Sequence, residues 1–188
     1  MSNQRFVESL INSQVDGAAL TNTTTATSLL VGASKYTLYG GFFDVIGKKI
    51  KVKAAGRIST VVTTPGSLTL DIRLGAVIAA NGGAMSLNVV AKTNVPWFLE
   101  WELTCRAIGS GTGANLMHQG FWISEAVIGA AVPTVGGAGT HMLPNAAPAV
   151  GTGFDSTASQ VVDLFGTWSV ANASNSILVH QFELISLN

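Results

Sequence analysis

Between Val95 and Ala107 the chain alternates with a period of two. Val95, Trp97, Leu99, Trp101, Leu103, Cys105 and Ala107 fall on one side, and Phe98, Glu100, Glu102, Thr104 and Arg106 on the other. Successive side chains of a strand point to opposite faces, so this pattern specifies a strand with one packed face and one largely polar face. Two tryptophans and two leucines on the packed face mark it as the centre of a β-sandwich core. Each contributes about 1.5–3 kcal/mol of apolar burial.

The rest of the chain falls into zones around that strand. Residues 1–34 read as an N-terminal arm, with a short helix predicted over Arg5–Ile11 and a Thr-rich stretch over Leu20–Ser28 that shows no packing signal. Such arms are disordered or laid across a neighbour. Residues 35–188 read as the sandwich domain. Lys49–Ala54 puts Lys49, Lys51 and Lys53 outward against Ile50, Val52 and Ala54, and Gly56 separates this run from Arg57–Thr63. Thr64-Pro65-Gly66 is a turn. Ser67–Leu74 alternates again, with Leu68, Leu70, Ile72 and Leu74 inward. Pro96 opens the tryptophan strand, a position that tolerates proline. A strand follows over Asn115–Ile128, bent at Gly120, and then a Gly/Ala/Pro-rich stretch, 129–153, of a length usually functional or disordered. Gln160–Val170 and Ser176–Leu187 close the chain as strands. Nine or ten strands with turns between them specify an all-β antiparallel sandwich of the jelly-roll type, carrying an extended N-terminal arm.

Composition narrows the setting. At 188 residues with 11% charged residues, the chain has less than half the usual charged share of about 25%. A soluble monomer normally covers itself with more charge, so part of the surface is expected to be covered by copies of itself or by a larger assembly. Net charge is zero, with ten basic and ten acidic residues, and no global field argues for nucleic acid. Cys105 is the single cysteine and reads as a small core residue. The first twenty residues lack the apolar stretch of a signal peptide, and no run reaches the roughly 18 apolar residues of a membrane span. The expectation is synthesis in the cytoplasm and no membrane partner.

Candidate chemistry is sparse. Gly109-Ser110-Gly111-Thr112-Gly113-Ala114 contains a G-x-G-x-x-A string, but both flanks read as strands where a dinucleotide site needs a following helix. Glu100 and Glu102 share a strand face, the arrangement from which a glycosidase pair is built; an exposed polar face with Arg106 as charge partner explains them more simply. His118, His141 and His180 lack metal-ligand spacing, and His118 and His180 read as hydrogen-bonded structural residues. No catalytic, cofactor or metal site is assigned, and the chain reads as a non-enzyme. Lys48, Lys49, Lys51, Lys53 and Arg57 hold half of the basic residues. They grip an acidic surface or protect an exposed sheet edge.

Several stretches resemble a family of structural proteins encoded by tailed-bacteriophage genomes. They are Phe6–Gln14, Ala54–Ser59, Leu74–Val77, Trp97–Gly109 and Thr152–Ser156. The resemblance implies a virion component with a jelly-roll-like sandwich: a capsid decoration (cement) protein that binds the major capsid protein, with a tail- or fibre-associated protein as its rival. It also implies a homo-oligomer, with a trimer favoured by the threefold sites of a shell. A carbohydrate-binding jelly roll is the alternative from a different class, with Phe98, Glu100 and Glu102 as the cluster that would serve it. The candidate partner-binding residues are Phe6, Leu10 and Ile11 in the arm, and Lys49, Lys51 and Lys53 on the lysine strand.

Overall fold

The computed structural model describes residues 7–126 and 140–187. Strands follow in the order β1 (Val7–Asn12), β2 (Leu20–Thr21), β3 (Thr27–Ser28), β4 (Tyr36–Leu38), β5 (Lys49–Thr60), β6 (Ser67–Leu74), β7 (Val77–Ser86), β8 (Lys92–Ala107), β9 (Asn115–Ile123), β10 (Thr140–Leu143), β11 (Gln160–Trp168) and β12 (Ser176–Leu187). A seven-stranded sheet runs β1-β12-β5-β8-β9-β10, with β2 beside β12, and a five-stranded sheet runs β3-β11-β6-β7, with β4 beside β11. Every pairing is antiparallel. The architecture is an all-β sandwich. Consecutive strands β5 and β6 lie in different sheets, as do their partners β12 and β11, so one two-strand ribbon folds against another in the manner of a jelly roll.

The inner faces form one core. Trp97, Leu99, Trp101, Leu103 and Cys105 of β8 are buried, as the alternation predicts. Trp97 stacks on Trp122 of β9, ring centroids 4.7 Å apart. Trp101 meets His118 edge-on, and its Nε1–H donates to His118 Nδ1 at 3.3 Å. The opposite sheet supplies Leu68, Leu70, Ile72 and Leu74 of β6 with Leu164 and Trp168 of β11. Gly120 lies across from Trp101, where a Cβ would run into the Glu100 carbonyl and sit 2.7 Å from the Trp101 Cα. Close approach, not a bend, requires glycine there. The same holds for Gly56, which breaks nothing: β5 passes through it as one strand, and a Cβ there would collide with the Leu178 carbonyl and lie 3.0 Å from the Trp97 ring.

The arm departs from expectation. Val7–Asn12 is strand β1 on the edge of the larger sheet rather than a helix, and β2 and β3 tie the following segment to both sheets. Leu20, Leu29 and Leu30 are buried in the core, and the Trp168 Nε1–H donates to the Leu20 carbonyl at 3.1 Å. The Thr-rich flanks hide these leucines in the sequence. The path is extended, but the segment from Leu20 onward is part of the sandwich. Pro96 also falls inside its strand, because β8 begins at Lys92. Of the stretch 129–153, the part 129–139 lies outside the described residues; β10 forms directly after it and pairs with β9. The Gly109–Ala114 string joins strands β8 and β9, and Cys105 is buried, with desolvation pushing its thiol pKa up.

Trp101→Ala and Leu29→Ala remove side chains with no exposed surface. They are expected to cost about 3–5 and about 2–5 kcal/mol respectively, the ranges for large apolar groups taken from a packed interior. Glu102→Ala, on the outer face of the same strand as Trp101, costs under about 1 kcal/mol. Denaturant melts of the three variants check this; equal losses at Trp101 and Glu102 contradict the assignment of faces.

His118 yields a pH dependence. Desolvation lowers its pKa below the ordinary value near 6.5, and His141 shifts the same way for the same reason. The native state thus resists protonation that the unfolded chain accepts, so stability is full above about pH 6.5 and declines as pH falls below it. Asp44 and Glu102, held low by Lys48 and Lys51, lose their contributions in a separate window, below the ordinary carboxylate range near pH 4. The melting temperature is expected to fall between pH 7 and pH 5, and less steeply in His118→Gln, which keeps an acceptor for Trp101. An unchanged slope in that variant contradicts the assignment.

Candidate binding face on the seven-stranded sheet

The side chains of β5 and β8 that turn away from the core meet on one outer face. The register sets Lys51 opposite Glu102 and Lys53 opposite Glu100, while Val52 faces Trp101 and Ala54 faces Leu99 on the inner side. Directly opposed residues on one sheet face have Cβ atoms about 4.5–5.5 Å apart. Lys51 Nζ accordingly lies 2.9 Å from both Glu100 Oε1 and Glu102 Oε1, and Lys49 Nζ lies 3.4 Å from Glu102 Oε2. The carboxylates' partners come from the neighbouring strand; Arg106, the partner expected from the sequence, makes no ion pair among the described residues.

This arrangement determines the protonation states. The hydrogen bonds that Lys51 donates to Glu100 and then to Glu102 raise its pKa, and the one that Glu102 accepts pulls its carboxyl below the usual carboxylate value. Glu102 is therefore ionised at neutral pH. A glycosidase acid needs the opposite shift, a carboxyl whose pKa is raised so that it holds a proton. Both carboxylates are held as hydrogen-bond acceptors beside the Lys51 ammonium.

Beside this lattice lies an aromatic step. Glu100 is opposed by Phe121 of β9, and Phe98 by Ile123, so Phe98 and Phe121 are diagonal neighbours with ring centroids 6.1 Å apart and planes tilted 37°. Phe98 and Ile123 are exposed. Two depressions flank the step. One of about 410 Å³ is lined by Lys49, Glu100, Glu102, Arg106, Phe121 and Met142, among others. The second, of about 330 Å³, is lined by Asn12, Ser13, Lys53, Phe98, Gln181 and Glu183, among others. Together they cross the sheet from β1 to β10. Adjacent strands lie about 4.8 Å apart, so the six strands on that path span roughly 24 Å, several monosaccharides long.

The predicted site residues divide. Lys49, Lys51 and Lys53 converge on this face. Their strand is central, between β12 and β8, so they guard no sheet edge. Leu10 and Ile11 lie in β1, half-buried and packed against the chain's own core. Phe6 lies outside the described residues. Sequence reasoning missed Phe121 of β9 and Met142 of β10. Alternation along β9 places Phe121 outward, but only the β8–β9 register brings it beside Glu100. His118 and His180 are hydrogen-bonded, the latter with Nδ1 2.9 Å from Asp16 Oδ1. Among the described residues no cluster of three or more His, Cys, Asp and Glu is placed to hold a metal, and no helix is long and apolar enough to cross a membrane.

No protein-family model matches the chain, and no curated protein matches it. Among solved structures, it is similar to the CBM2 module of the evolved Dit of Lactobacillus casei BL23 phage J-1, over 98% of each chain, with 8% sequence identity and a TM-score of 0.38. An overlap of that size fixes neither ligand nor role.

Proposed function

We propose that the chain is a non-catalytic carbohydrate-binding sandwich of a tailed-phage virion, with the outer face of the seven-stranded sheet as its binding face. The observation that carries the binding role is the Phe98–Phe121 step beside Glu100 and Glu102, both anchored by Lys51. Sugars present apolar C–H faces that pack on aromatic rings, and hydroxyls that hydrogen-bond to carboxylates and ammonium groups held in place. Acceptors already fixed by Lys51 lose little side-chain entropy on binding. The virion setting is supported by the resemblance of the sequence to phage structural proteins.

A glycan array of bacterial surface polysaccharides, probed with the intact protein, tests the binding role. Phe98→Ala and Phe121→Ala are each expected to weaken the strongest interaction at least tenfold, about 1.4 kcal/mol, with the melting temperature nearly unchanged. Absence of binding across the array contradicts the proposal.

The second reading is assembly, including capsid decoration, and the exposed loop hydrophobics favour it. Tyr39, Val45 and Ile46 on one loop, and Val62, Val89 and Val90 on two others joined by the Thr63 N–H to Val89 carbonyl bond, are all exposed by 47% or more. Exposed apolar side chains gathered on loops are candidates for contact sites. Light scattering at micromolar concentration is expected to give a mass three times 19.4 kDa; a monomer that fails to bind particles contradicts this reading.

A further inference from the structure

We infer that the ligand of this face is an acidic polysaccharide, a glycan chain bearing carboxylate or phosphodiester groups at intervals. The inference rests on the carbohydrate-binding reading and names the ligand class of the same face. Charge is unevenly placed. Lys49, Lys51, Lys53, Arg57 and Arg106 lie on the outward side of β5 and β8, with Glu100, Glu102 and Glu183 as the acidic residues of β5, β8 and β12 on that side. Five positive charges against three negative leave the face at +2, and a chain of zero net charge leaves −2 elsewhere.

Glu100 and Glu102 are already engaged by Lys51 and Lys49. Lys53, Arg57 and Arg106 make no ion pair among the described residues. Lys53 lines the second depression and Arg106 the first, so a cation sits in each. Arg57 stands four residues beyond Lys53 on β5, roughly 13 Å along the strand at 3.3 Å per residue. Cations spaced this widely suit a polymer whose acid groups are separated by whole sugar units. A denser polyanion such as single-stranded nucleic acid would set phosphates against Glu183 and the glutamate pair.

Titration of the full chain at 50 mM NaCl with polygalacturonate, poly(glycerol phosphate), neutral dextran and a single-stranded oligothymidylate tests this. At least one of the two acidic carbohydrate polymers is expected to bind tenfold or more tightly than dextran, and to lose at least tenfold in affinity by 500 mM NaCl. Which of the two it is separates the carboxylate from the phosphodiester. Lys53→Gln and Arg106→Gln are each expected to weaken that polymer three- to tenfold with an unchanged melting temperature. Dextran binding as tightly as both acidic polymers overturns the acidic preference and leaves the carbohydrate-binding reading standing. Binding of none of the three carbohydrate polymers overturns both, and tightest binding of the oligothymidylate replaces them with a nucleic-acid ligand.

Discussion

The indole packing along β8 is the constraint from which the rest follows. Trp97 lies parallel to Trp122, planes 14° apart, and Trp101 stands edge-on to His118. These large rings fit only between the sheets. A one-residue slip of a strand moves every side chain to the other face, so a slip of β8 would expose two tryptophans and two leucines and bury Glu100 and Glu102. The core therefore dictates where Phe98 and the two glutamates point. The proposed binding face is the reverse side of the hydrophobic core.

The β5–β8 register then converts that outward face into a fixed lattice. Lysines of one strand oppose glutamates of the next, and Lys51 holds both carboxylates. Surface ion pairs contribute little to stability; here their effect is to fix the positions of the carboxylates. The smaller sheet treats charge differently. Asp163 is buried beside Lys35 at 2.6 Å and accepts from Ser28 Oγ, and Asp71 is buried with its pKa raised by desolvation. Those charges secure strands β3, β6 and β11, whereas the charges of the larger sheet face outward.

Period-two alternation made the central strands legible. It identified β8, the inner residues of β5 and β6, and the outward lysines, because each signal is local. What the sequence concealed depends on contacts between distant segments. Leu20 and Leu29 look like isolated hydrophobics among threonines until β2 and β3 bring them under Trp168 and Gly166. Gly56 looks like a break until Trp97 and Leu178 are seen to occupy the space of its missing side chain. The candidate site was half legible: Phe98, Glu100 and Glu102 stand together on one strand, but Lys51 as their anchor and Phe121 as the second ring depend on register across β5, β8 and β9.

On the proposed function, ligand meets the outer side of the seven-stranded sheet. The most direct measurement is a map of backbone amide chemical shifts on isotope-labelled protein titrated with a bound polysaccharide. Perturbations are expected to centre on Lys51, Lys53, Phe98, Glu100 and Phe121, with β6 and β11 of the smaller sheet unmoved. Perturbations confined to the smaller sheet, or to the Tyr39–Gly47 loop, would contradict it.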